Sequence, residues 1–182
     1  MLKFAFIMAS ALFAANVPLF GTAVTADGSY HEFAFGVAGT FAYGCGGGCA
    51  PTSNPLAEAS GSVPYTFSGP GSLFALDLFD EGDTFSIFDN SILVGATSTV
   101  VNSGADPCDG NTACASGNPG YSQGTFSLGA GSHSITIEVT QNAIFTLEGA
   151  AVFSLSAATP EPAALLLMGM GLCGLGVLAR RR

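Results

Sequence analysis

Between Lys3 and Arg180 the chain contains no lysine and no arginine. A fold built from this stretch can set no ammonium or guanidinium group beside a carboxylate, so any ion pair inside it has to use His31 or His133. Residues 27–158 carry twelve Asp and Glu residues against that absence. Folding must therefore rest on apolar burial and backbone hydrogen bonds, with divalent cations as a supplement the carboxylates could recruit. A surface of single sign repels phosphate backbones, whose affinity for proteins comes mainly from Lys and Arg, so nucleic acid is not an expected partner. Anionic lipid headgroups are disfavoured on the same ground.

The two ends read as addresses. Lys3 is followed by an apolar stretch from Phe4 to Phe20 and then by the small-residue run Ala23-Val24-Thr25-Ala26. That order of charge, apolar segment and small-residue exit is the pattern of a secretory signal peptide, which makes the secretion translocon an expected partner. The expected cut falls between Ala26 and Asp27, with a cut after Ala23 as the alternative. At the other end Pro160-Glu161-Pro162 precedes seventeen uncharged residues, Ala163 to Ala179, and then Arg180, Arg181 and Arg182. As a helix the uncharged run spans about 25 Å at ~1.5 Å per residue, a little short of a ~30 Å hydrocarbon core. It is expected to act as a transmembrane helix. The arginine cluster stays on the cytoplasmic side by the positive-inside rule, which leaves the acidic segment on the far side of the membrane.

Pro160, Glu161 and Pro162, the Ala, Leu, Met and Gly helix and the terminal arginines together resemble the PEP-CTERM sorting signal of Gram-negative bacteria. The resemblance covers residues 159–182. It implies an exported protein recognised by a membrane-embedded exosortase-type processing enzyme. The protein is then handed to the cell surface or its exopolysaccharide layer, and the tail anchors it in the inner membrane only transiently. Looser likenesses to the central region of such proteins lie in Leu76 to Gly95 and Tyr121 to Ile137. The domain plan is a signal peptide over 1–26, an exported body over 27–158 and a sorting tail over 159–182.

Within the body the dominant pattern is apolar alternation with period two, broken at short intervals by Gly, Pro, Asn and Asp. The alternation predicts strands over Glu32–Phe41, Ser62–Phe67, Ser72–Leu78, Asp83–Phe88, Ser91–Val101, Gly124–Leu128, Ser132–Val139 and Ala143–Leu155, the last with a break near Gly149. Ile135, Ile137 and Val139 fall on one face of their strand while Ser134, Thr136 and Glu138 fall on the other. Strands with one apolar face bury it by stacking two sheets, so the expected fold is all-β, an antiparallel β-sandwich of jelly-roll type. The Gly129-Ala130-Gly131 segment predicts a hairpin between its flanking strands. No soluble amphipathic helix is expected in the body.

Four cysteines form two local pairs, Cys45 with Cys49 and Cys108 with Cys114, and export predicts a disulfide in each. Their spacings suit neither a redox CxxC nor a zinc site. Asp77, Asp80, Glu81 and Asp83 concentrate hard oxygen ligands, which makes Asp77, Asp80 and Asp83 the candidate calcium ligands in a chain otherwise expected to need no cofactor. His31 or His133 with a serine would make a hydrolytic pair arithmetically, but no nucleophile-elbow motif accompanies them, so no catalytic residue is expected. The expected function is that of a non-catalytic surface or matrix protein associated with exopolysaccharide. The alternative is a carbohydrate-binding module, calcium-dependent or not, that stacks sugars on Tyr30, Tyr43, Tyr65 or Tyr121.

Overall fold

The computed structural model describes residues 21–45, 49, 52–53 and 55–158. Most of the signal segment and the whole sorting tail from residue 159, with its expected transmembrane helix, lie outside the described residues. In chain order the elements are β1 (Thr22–Ala23), β2 (Asp27–Phe35), β3 (Tyr43–Gly44), β4 (Glu58–Ala59), β5 (Tyr65–Ser68), β6 (Gly71–Asp77), β7 (Thr84–Asp89), β8 (Ile92–Ala96), α1 (Thr112–Gly117), β9 (Gln123–Leu128), β10 (Ser132–Gln141) and β11 (Gly149–Ala157). They form two sheets. One runs β1-β5-β10-β7-β8, and the other runs β3-β2-β11-β6-β9 with β4 beside β2. The long strands pair antiparallel, while the two-residue strands β1 and β4 add parallel to β5 and β2.

The alternation decides what lies between the sheets. Phe33 and Phe35 of β2, Leu73 and Ala75 of β6, and Phe153 and Leu155 of β11 face Phe85 and Ile87 of β7 and Ile135, Ile137 and Val139 of β10. The ring of Phe85 meets Phe33 and Phe35 edge-on at 5.5 and 5.1 Å, and Tyr65 lies 4.6 Å from Phe153. Aromatic rings in this arrangement supply large buried areas, and their contact geometry adds to it, which suits a body with so little charge pairing to draw on.

A second cluster covers the outer face of the six-stranded sheet. Leu76, Leu78 and Val152 pack there against Tyr121, Cys108 and Ala115, which come from α1 and its flanking loops. With both its faces covered, β11 reads as a continuous apolar run, Ala150 to Phe153, where an alternating one is the rule for a half-exposed strand.

Several expected elements are placed differently. The strand predicted from Glu32 starts at Asp27 and stops at Phe35, after which Gly36–Thr40 turn with Gly39 at φ +85°. The strand predicted to reach Val101 stops at Ala96. There the Thr97 N–H bonds the Phe85 carbonyl and the Ser98 N–H bonds the Gln123 carbonyl, so the chain passes from one sheet to the other. The predicted hairpin at Gly129–Gly131 is an arch instead, since β9 pairs β6 while β10 pairs β5 and β7 in the opposite sheet. The tight hairpin of this region joins β7 to β8 through Asn90 and Ser91, both at positive φ as a two-residue turn of matching twist requires.

Candidate functional site

Both expected disulfides are formed, Cys45 to Cys49 and Cys108 to Cys114, with Cα atoms 5.2 and 5.5 Å apart. The second closes the loop that carries α1. Asn111 caps this six-residue helix by accepting the Cys114 N–H at 2.9 Å, a local signal the sequence reading passed over because the helix is too short for a periodic face. Tyr121 is fully buried beneath it. Its hydroxyl accepts from the Cys108 N–H at 3.3 Å and donates toward the Phe79 carbonyl at 2.9 Å or the Asp106 carboxylate at 3.2 Å. Replacing Tyr121 with Phe leaves the buried Cys108 N–H and the half-buried Phe79 carbonyl without this partner, which is expected to cost about 1–3 kcal/mol. Thermal unfolding of the variant reads that loss directly.

The acidic turn between β6 and β7 is built inward. Asp77 is wholly buried and takes the Leu78 N–H on Oδ1 at 2.8 Å, while its Oδ2 has no partner. Asp83 takes the Ala143 N–H at 2.7 Å and so ties the turn to the chain after β10. Burial, and then the neighbouring Asp83, hold the Asp77 carboxyl well above the usual carboxylate range. Burial likewise pushes Asp83 up to about 7, with Asp80 adding to it. Glu81 is held by the Ser103 hydroxyl at 2.6 Å and the Asn118 amide at 3.0 Å. Asp77, Asp80 and Asp83 thus share one loop and sense one another's charge, but no three of their side chains bring oxygens within 4.8 Å of one another.

His133 is buried against the ring of Phe67. Its Nδ1 lies 2.7 Å from Asp89 Oδ2 and its Nε2 lies 3.0 Å from the Gly129 carbonyl. Burial opposes its charge, but two acceptors on two ring nitrogens ask for two protons, and the balance raises its pKa. Of the two histidines that could form an ion pair, His133 does so, with Asp89. His31 stacks on Phe153 at 5.3 Å with its Nε2 buried and unpartnered. Among the described residues no serine hydroxyl bonds either imidazole, so these do not supply the arithmetical hydrolytic pair.

Of the four tyrosines offered for sugar stacking, Tyr65 and Tyr121 are 0 % exposed, which removes them as platforms. Tyr65 sits between the sheets with its hydroxyl 2.9 Å from Ser60, and Tyr30 is half-buried against Phe74. Tyr43 is 49 % exposed and borders a groove of about 340 Å³. Ala34 and Ala150, directly opposite each other on β2 and β11, give this groove a shallow floor; Tyr43, Phe79 and Cys49 line it, and Glu148 supplies a carboxylate. Beside it lies a group no local pattern announced: Glu32, Cys45 and Cys49 bring one oxygen and two sulfurs within 4.8 Å of one another.

The expected signal cut also falls on described residues. Thr22 and Ala23 pair with Tyr65 and Thr66, the Val24 N–H bonds the Thr66 carbonyl at 2.9 Å, and the Ala26 carbonyl accepts from Ala157 at 3.1 Å. Asp27 opens β2 and accepts the Ser29 N–H at 2.9 Å. A cut between Ala26 and Asp27 keeps β2 and removes β1, whereas a cut after Ala23 also keeps the bonds of Val24 and Ala26. The tail residues Pro160, Glu161, Pro162, Arg180, Arg181 and Arg182 lie outside the described residues. Among the described residues no helix is long and apolar enough to cross a membrane.

No curated protein and no solved structure shows a significant match to this chain. A family model described as the PEP-CTERM protein-sorting motif does match, over residues 158–182, and such a motif implies export, surface sorting and handling by exosortase-type machinery. The chain thus joins an all-β body of two stacked sheets to a C-terminal segment that matches the PEP-CTERM protein-sorting motif.

Proposed function

We propose that this protein is a non-catalytic component of the cell surface or extracellular matrix, held near exopolysaccharide. On this reading the tail crosses the inner membrane as a helix until it is processed. The observation that carries the reading is the sorting motif joined to a body with no Lys or Arg. A body of this kind repels nucleic acid and anionic lipid, which leaves neutral polymers and cation-bridged anionic polymers as its natural surroundings. The strand order supports a jelly roll. Counting the eight strands of four or more residues from β2, and leaving out β1, β3 and β4, the sheets run 1-8-3-6 and 2-7-4-5. That order results when an antiparallel ribbon closed by the β7–β8 hairpin rolls up, so that all other successive strands of the eight fall in opposite sheets.

The reading predicts that protein purified from its native cells cosediments with their exopolysaccharide and turns over neither ester nor glycoside substrates. Turnover, or a protein that remains free of the polymer, would overturn it. The groove beside Tyr43 favours a second reading, a saccharide-binding module. Its aromatic wall, flat floor and single carboxylate suit one or two sugar rings. If that reading holds, Tyr43→Ala weakens binding on a glycan array while Tyr30→Ala leaves it unchanged.

A further inference from the structure

Glu32 extends from the outer face of β2 toward the Cys45–Cys49 disulfide. It is 4 % exposed, and its Oε1 has no hydrogen-bond partner. A carboxylate oxygen and both sulfurs stand within 4.8 Å of one another. Burial alone pushes its carboxyl up to about 7, with no neighbouring charge contributing, so near neutrality it holds a proton for much of the time.

The two sulfurs are not equivalent. Cys45 is buried, with Sγ 2.9 Å from the Glu32 main-chain oxygen, whereas Cys49 lines the groove beside Tyr43. A thiolate arriving in the groove meets Cys49. The sulfur that must leave is then the one beside an acid, with a carbonyl ready to accept its S–H.

We propose that Cys45–Cys49 is an exchangeable disulfide that captures a thiol at Cys49, with Glu32 as the proton donor to Cys45. The incoming thiol first loses its proton to solvent. Its thiolate then forms a bond to Cys49 Sγ as the Cys45–Cys49 bond breaks, and Cys45 departs with the electron pair and takes the Glu32 proton. The products are a mixed disulfide at Cys49, a Cys45 thiol and a Glu32 carboxylate. If the partner carries a second thiol, attack on the mixed disulfide releases Cys49 as a thiolate and leaves the partner oxidised by two electrons. The disulfide itself is the oxidant and the reaction is stoichiometric, so the inference adds a covalent attachment to the surface role without depending on it.

Cys108–Cys114 provides an internal control. Its Cys108 is buried and its Cys114 exposed, more open than the half-buried Cys49, but among the described residues no carboxylate stands within 4.8 Å of both its sulfurs. The experiment treats the purified, oxidised protein with glutathione near pH 7, quenches with an alkylating agent and maps adducts by mass spectrometry. The expected result is glutathione on Cys49, with Cys45–Cys49 opening about tenfold or more faster than Cys108–Cys114, and Glu32→Gln slowing only the first. The unsubstituted protein should also show a rate inflection near 7 that Glu32→Gln lacks. Glu58 on β4 and Glu148 and Tyr43 at the groove are the other titratable groups nearby, and each stays in place in that variant. Equal rates for the two disulfides in the unsubstituted protein overturn the proposal whether or not the variant folds, as does an adduct on Cys45. Comparing glutathione with a reduced, unstructured cysteine peptide separates a small-molecule partner from a protein one; reaction of neither at Cys49 overturns the site.

Discussion

Thermal unfolding of the processed protein is expected to give a melting temperature at pH 5 that is roughly 5–10 °C above that at pH 8, at constant ionic strength. The cause is the set of buried carboxyls that have no cation to pair with. Glu32 and Asp83 are each pushed up to about 7 by burial, and Asp77 is held well above the carboxylate range by burial and by Asp83. In the unfolded chain these groups ionise near 4, so between about pH 4 and 7 the folded state keeps protons that the unfolded state has released. Stability therefore falls as the pH rises through that window. His133 acts in the same direction. Its raised pKa gives a contribution that is complete below its unfolded value and is lost as the pH rises through the folded one.

For Glu32 and Asp83, raised to about 7, the loss between pH 5 and 8 would amount to about 2–3 kcal/mol each in an unrelaxed site, and local relaxation is expected to bring the pair to roughly 2–4 kcal/mol in all. General repulsion among the surface carboxylates points the same way, but salt screens it. Asp83→Asn and Glu32→Gln separate the two effects. Each is expected to flatten the pH profile in high salt by raising stability at pH 8 while changing little at pH 5. A profile that is level from pH 5 to 8, or that rises with pH, would show that these carboxyls are ionised in the fold at no cost.

Which residues face inward was legible, because period-two alternation in Phe85 to Ile87 or Ile135 to Val139 needs only a sheet with one dry side. Which sheet each strand joins was not. Strands β9 and β10 present the same alternation whether the Gly129–Gly131 turn folds them into one sheet or arches them across the core, and the difference lies in their distant partners, β6 for one and β5 and β7 for the other. Tyr65 and Tyr121 were misplaced for a related reason. An amphipathic ring is as suited to a buried hydroxyl network as to a sugar surface, and only Ser60, Asp106 and the Cys108 N–H decide between them. The disulfides were legible because each pair is close in sequence. Glu32 beside one of them was not, since thirteen residues separate it from Cys45 and only the fold brings them together.

Replacing Pro160 and Pro162 with Ala is expected to abolish delivery. Proline offers no amide hydrogen and turns the residue before it away from helix, so the Pro160-Glu161-Pro162 sequence disfavours helix just ahead of the apolar run. If the Ala163–Ala179 run is helical, as proposed above, alanine at both positions would let that helix continue back toward the body, and the segment a processing enzyme has to grip would disappear. The double variant is expected to be exported and folded as before, since the strands from β2 to β11 build both sheets without the tail. It is also expected to keep its full C-terminus and to remain in the inner-membrane fraction, with the surface fraction reduced about tenfold or more; intact mass and fractionation of native cells read both. On the proposed topology, replacing Arg180, Arg181 and Arg182 with Ala would instead remove the cytoplasmic stop, by the positive-inside rule. That variant is expected to lose membrane retention and escape unprocessed. If the proline variant reaches the surface with the same mass as the unsubstituted protein, the motif at residues 158–182 is not what sorts this chain.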